Sequence, residues 1–293
     1  MISIFQSFST QFDGPITTGV SKVVQSGISA VAAPLATALS IYIIIHGILV
    51  MFGKMDFYAG MTAALRASII GALLTATYYQ QYVTQPFLTD IPNWIASATS
   101  GVTGTTAGAQ QFDTLFSAVE HLGAATLEQA GDFTDIDIRI EVVLITWGVS
   151  VALGIAYVIY ELARMFMALA VCAGPFIVGF YLFAATRAIT LRWIGFMVSV
   201  LLLGLLVSVL LQLMLAADST FMLQAQSQAG AGLAEQVETL ADILAFFLMS
   251  ALLTIFIPTM AGSIGGGILP GLGSIVVSPF RLAGKRRLPC AGF

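Results

Sequence analysis

Charge is scarce in this chain. Only 9% of its 293 residues are Asp, Glu, Lys or Arg, against roughly 25% in soluble domains, too few to solvate a globule of this size. With 58% hydrophobic residues and a mean hydropathy of +0.95, intrinsic disorder is excluded as well. Cysteine is scarcer still: Cys172 lies in an apolar run and Cys290 near the end, so no disulfide framework is expected. The motifs of enzymes are also missing. There is no phosphate loop, no His-Glu-x-x-His and no serine elbow. His46 and His121 stand on different segments and cannot make a local metal site. His46 falls inside a span but has no carboxylate there to relay a proton. The acids Asp132, Asp135 and Asp137 lack the glycine and spacing of a calcium loop. No segment carries serial charges like a voltage sensor, and no inverted repeat relates the halves. No enzyme, cofactor or metal is expected.

What the sequence has is long apolar runs. A helix needs about 20 such residues to cross the ~30 Å hydrocarbon core, and five runs qualify: Val31–Gly53, Ala67–Val83, Val142–Tyr160, Trp193–Ala217 and Ile243–Ser263. The first 21 residues hold no Lys or Arg and form no cleavable signal. A sixth run, Met165–Thr186, carries Gly174-Pro175 in its middle and reads as a broken segment that enters and leaves on one side. Five crossings then put the N-terminus outside and the C-terminus inside. Lys54, Arg66, Arg164, Arg187, Arg192, Arg281, Lys285, Arg286 and Arg287 fall inside, leaving only Lys22 and Arg139 outside, as the positive-inside rule prefers. Of the acids only Asp56 and Glu161 face in, with Asp13 among those facing out.

The fold class is therefore all-α: a polytopic membrane protein of about five transmembrane helices plus one re-entrant segment at 165–186. An amphipathic periplasmic segment occupies 1–30, with Phe5, Phe8 and Phe12 on one stripe. The first two spans fall within 31–83 and a large periplasmic loop covers 84–141. The third and fourth spans fall within 142–217, a second periplasmic loop covers 218–242, and 243–263 is the fifth span. A Gly-rich and basic cytoplasmic tail closes the chain at 264–293. Within the large loop, Phe112, Leu115, Phe116, Val119 and Leu122 keep helical spacing. A lone amphipathic helix of this length is marginal in water, so the stripe calls for a partner: the membrane, a sibling subunit or another protein. Asp135 to Glu141 alternates like a strand but equally suits an Asp-capped helix start.

Three charged groups invite a role. Glu161 and Arg164 are i, i+3 neighbours that can pair on one helix face, fixing depth or orienting the broken segment. Arg187 and Arg192 could hold lipid phosphate or attract a polyanion, though topology determination is the plainer reading. The tail cations Arg281, Lys285, Arg286 and Arg287 are read most simply as a positive-inside stop. Trp193 reads as an interfacial anchor.

The run Ala170-Val171-Cys172-Ala173-Gly174-Pro175-Phe176-Ile177, then Phe183-Ala184-Ala185-Thr186-Arg187, then Arg192-Trp193-Ile194-Gly195 resembles the signature of the TrbL/VirB-six family of bacterial type IV secretion systems. There a small-residue Gly-Pro segment leads to a Phe-x-x-Thr-Arg turn and a Trp that opens the next span, here Gly174, Pro175, Phe183, Thr186, Arg187 and Trp193. The layout of spans, large loop and basic tail is similar too. The resemblance implies an inner-membrane subunit, multi-pass, that supports DNA or protein transfer and assembly of the periplasmic stalk and pilus. It implies a homo-oligomeric ring, separate ATPases as partners, and contact of the large loop with substrate. The tail, ending at Phe293, lacks the long extension of some members. The rival reading is a self-contained small-solute channel or transporter.

Overall fold

The computed structural model describes residues 3–100, 107–129, 136–227 and 233–266, and among these no strand occurs. Helix α1 runs unbroken from Ile4 to Met51, through Pro15 and Pro34. At 1.5 Å per residue it is about 72 Å long, more than twice the hydrocarbon thickness. The stripe segment and the first span are thus one rod. Helix α2 (Phe57–Leu73) returns along it, with Gly71 set close against Leu39.

At Leu74 and Thr75 the chain breaks and turns by 82°. Thr75 adopts an extended backbone, and its hydroxyl donates back to the Ala72 carbonyl at 2.9 Å, which ends α2. The chain then continues as α3 (Ala76–Tyr79), two π turns (Gln80–Thr84 and Pro86–Asp90) and α4 (Ile91–Ser100). Pro86 and Pro92 cannot donate an N–H, and widened turns are the usual answer to a disturbed hydrogen-bond ladder. The expected span Ala67–Val83 is therefore two helices at a right-angled break.

Helix α5 (Ala107–Gln129), α6 (Ile136–Val178), α7 (Arg187–Ser227) and α8 (Leu233–Gly265) complete the fold. Helix α6 is the axis: it packs against α1, α5, α7 and α8, and Val142, Leu153 and Val171 along it are fully buried. The acidic start around Asp137 forms its first turn, where carboxylates suit the positive end of the helix dipole; the strand alternative is not realised. Helices α7 and α8 cross where Gly195 and Gly265 bring their backbones together, the close approach that small residues permit in membranes. Among the described residues four single helices are long and apolar enough to cross, or five when the bent pair is taken as one span. The outward faces of α6 and α8, with Leu144, Trp147, Leu252 and Phe256, are exposed and apolar, as lipid contact demands.

The segment 165–186 takes a simpler form than a broken hairpin. Helix α6 carries it without interruption through Pro175 to Val178. A 3₁₀ turn over Gly179–Leu182 and the bends to Thr186 then reverse the chain into α7. Together with the first part of α6 it makes one candidate span, Ile136–Leu182.

Candidate functional site

Pro175 sets the local problem at the end of α6. Lacking an N–H, it leaves the Val171 carbonyl without its helical donor, and an unpaired carbonyl is costly where water is excluded. The answer comes from two other elements. The Tyr79 hydroxyl, at the end of α3, donates to the Val171 oxygen at 2.7 Å. The Trp193 indole, on α7, donates to the neighbouring Ala170 oxygen at 2.9 Å. Thr190 adds a third bond, donating to the Ile177 carbonyl at 2.9 Å. Tyr79 is completely buried.

Gly174 makes this staple possible, since a methyl group there would overlap the Tyr79 hydroxyl and crowd the Trp193 ring. Gly174, Pro175 and Trp193 are thus brought together as one packing unit. The other motif residues build the turn. Phe183 meets Tyr42 of α1 edge-on at 6.2 Å between ring centroids. The Thr186 hydroxyl donates to the Phe180 carbonyl at 2.7 Å, tying off the end of the 3₁₀ turn. The Arg187 guanidinium sits 5.1 Å over the Tyr181 ring, a cation–π contact. Arg192 is exposed on α7.

A second polar centre joins α1, α5 and α6. Arg164 pairs with Glu161 at 3.2 Å, as the i, i+3 spacing allows, and also with Asp13 of α1. It donates to the Ser9 hydroxyl at 2.9 Å. The Tyr157 hydroxyl lies 3.0 Å from Glu161 and 3.1 Å from the Phe5 carbonyl, a donor shared between them. Asp113 of α5 accepts from the backbone N–H groups of Phe5 and Gln6 at 2.9 and 2.8 Å. A carboxylate is the preferred cap for a helix start, and here it arrives from another helix. Asp13 and Arg164 therefore share one depth. The charge count assigns them to opposite faces, and for this pair that assignment is corrected. A guanidinium neutralised by two carboxylates inside a bundle does not act as the free loop cation that the counting presumes.

The stripe of α5 finds its partner inside the chain. Phe112, Leu115 and Val119 are buried, and Phe116 and Leu122 half-buried. Phe112 and Phe116 pack on Phe5 of α1, and Phe112 on Tyr157 and Tyr160 of α6. The covering surface is thus the chain's own bundle, α1 and α6 together with α7 and α8. The stripe at the chain start shares it: Phe5 is inserted, while Phe8 and Phe12 stack on each other at its rim. The His46 ring nitrogen Nδ1 lies 2.8 Å from the Tyr42 carbonyl one turn back. Cys172 is a free thiol. Arg281, Lys285, Arg286, Arg287, Cys290, Asp132 and Asp135 lie outside the described residues.

Sequence reasoning did not single out Tyr79, Asp13, Ser9, Asp113 or Tyr157. One signal was there: a proline inside an apolar run frees a carbonyl that some donor must reach. The signal for Asp113 was a lone acid on an otherwise apolar stripe.

Positions 39–259 match the family model described as TrbL/VirB6 plasmid conjugal transfer protein. The chain is 29% identical over 282 residues to Protein VirB6 of Rhizobium radiobacter, covering 94% of this chain and 95% of that one. To Protein VirB6 of Agrobacterium fabrum it is 30% identical over 272 residues, 91% of each chain. To the type IV secretion system protein VirB6 of Bartonella quintana it is 26% identical over 211 residues, 71% of this chain and 65% of the other.

Proposed function

This chain belongs to the TrbL/VirB6 family as a multi-pass inner-membrane subunit of a type IV secretion system, and on that premise we propose that it is a structural channel subunit. In this role it supports passage of DNA or protein substrates and assembly of the periplasmic stalk and pilus. It does so as one of several copies in a ring, beside separate ATPases that supply the energy. The N-terminus lies in the periplasm and the C-terminus in the cytoplasm.

One observation carries the structural reading. Polar groups inside the spanning bundle close on the fold itself: Tyr79 and Trp193 on α6 carbonyls, Arg164 on Asp13 and Glu161, Asp113 on the first turn of α1. Groups used in this way hold helices in place. The exposed apolar faces of α1 and α2, with Ile41, Ile44, Met61 and Leu65, offer surface for lipid and for sibling subunits.

The test is complementation of a strain lacking this gene. Loss of DNA transfer and of pili in the deletion, restored by the intact chain, is the expected result. Transfer that persists in the deletion would end the reading. Reconstitution separates the rival: a self-contained solute channel would carry ion flux in liposomes with no other component, and a scaffold subunit would not.

A further inference from the structure

Between α1, the helix from Ala76 to Ser100, α5, α6 and α7 lies a half-open cleft enclosing about 90 Å3, room for several water-sized groups. Most of its lining is apolar, including Phe87, Met167 and Val200. At one end stands the ion cluster, with Asp13 and Arg164 both in the wall. Two features of that end point to one chemistry.

The first is charge. Asp13 and Glu161 against Arg164 leave one uncompensated negative charge beside an apolar space, where charge is expensive. The second is hydrogen bonding. Oδ1 of Asp13 is taken by Arg164, while its Oδ2 has no donor among the described residues. A buried acceptor left unmade costs the group its full desolvation. An ammonium group with N–H donors on a hydrocarbon body answers both needs locally, and in a zwitterionic head the accompanying phosphate has to stay on the open side, away from the carboxylates. An anionic head would add to the excess negative charge.

We propose that this cleft binds the ammonium head of an amphiphile, a phosphatidylethanolamine-type lipid, with its N–H groups on the Asp13 carboxylate and its carbon chain along the Phe87–Val200 wall. Gly204 lies in the same wall, and a Cβ added there meets nothing within 4 Å. A bulky residue at 204 would therefore grow into the cleft without disturbing the backbone. The Asp13 side chain as a whole remains 16% exposed although Oδ2 itself is covered, so an ammonium group reaches that oxygen from the open side only with a small rotation of the side chain.

The experiment uses the purified full chain in detergent and follows its thermal midpoint while dihexanoyl-phosphatidylethanolamine, -phosphatidylcholine or -phosphatidylglycerol is added. The ethanolamine lipid should raise the midpoint saturably, at concentrations roughly tenfold below those of the choline lipid. Choline carries the charge but no N–H, and a charge-assisted hydrogen bond is worth about that factor. Glycerol lipid should give no saturable shift. Gly204→Phe should unfold cooperatively yet lose the ethanolamine response, and Ser208→Leu, on the next turn of the same wall, should weaken it if Gly204→Phe does not fold. The proposal fails if the three lipids act alike, if the glycerol lipid acts best, or if the response survives both substitutions. A lysine-bearing peptide that shifts the midpoint where the ethanolamine lipid does not would assign the cleft to a polypeptide instead and overturn it.

Discussion

The Tyr79 hydroxyl and the Val171 carbonyl, 92 residues apart in sequence, meet at 2.7 Å over the turn where Pro175 removes the helical donor. The bond ties the bent second helix pair to the central helix at its one broken rung. It also gives the Gly174-Pro175 pair a physical role: the proline frees the acceptor and the glycine clears the approach.

Tyr79→Phe keeps the ring and deletes the donor. Leaving the Val171 oxygen unpaired should cost about 1 kcal/mol, read as a lower thermal midpoint in detergent. In a Pro175→Ala background the backbone N–H returns, and the same substitution should then cost close to nothing. A double-mutant cycle with no coupling between 79 and 175 would refute the relationship.

Gly174→Ala places a methyl group onto the Tyr79 hydroxyl. It should destabilise the chain by roughly 1–3 kcal/mol, as overpacking does, and lower DNA transfer at equal membrane abundance. Gly154→Ala, where an added Cβ meets nothing, is the control. It should be neutral or slightly stabilising, because alanine favours helix over glycine by about 1 kcal/mol.

Asp113→Ala removes the cap from the start of α1. A lost cap costs about 1 kcal/mol. Amide exchange of residues 4–13 should accelerate selectively, with α7 and α8 unchanged. Uniform acceleration along the chain would mean that Asp113 acts on global stability and not on this end.

Asp13→Cys combined with Arg164→Cys should be joined in membranes by a short bifunctional thiol reagent, since the guanidinium–carboxylate contact brings the two positions close but leaves their Cβ atoms too far apart for a direct disulfide. Single cysteines at these positions should label from the same side of the membrane or resist labelling together. Labelling of one only from the periplasm and the other only from the cytoplasm would contradict the shared depth.

Much of the architecture was legible from composition and spacing. An apolar run of about 20 residues must be helical in a bilayer, because no water is present to satisfy its backbone. That reasoning alone yields an all-helical multi-pass chain with about five crossings. The Gly-Pro run, the Thr-Arg turn and Trp193 were legible as a family signature for the same local reason: each is a departure from a plain apolar helix. The i, i+3 pairing of Glu161 with Arg164 followed from helix geometry.

Tertiary structure decided which distant surfaces meet. Apolar stripes state that a face is covered and not by what, so the α5 stripe read equally as a docking face for another protein and as one for α1 and α6. The bond that satisfies α6 at Pro175 and the pairing of Asp13 with Arg164 each depend on a partner about 90 residues or more away. Local propensity carries no term for such partners, and only the packed bundle supplies them.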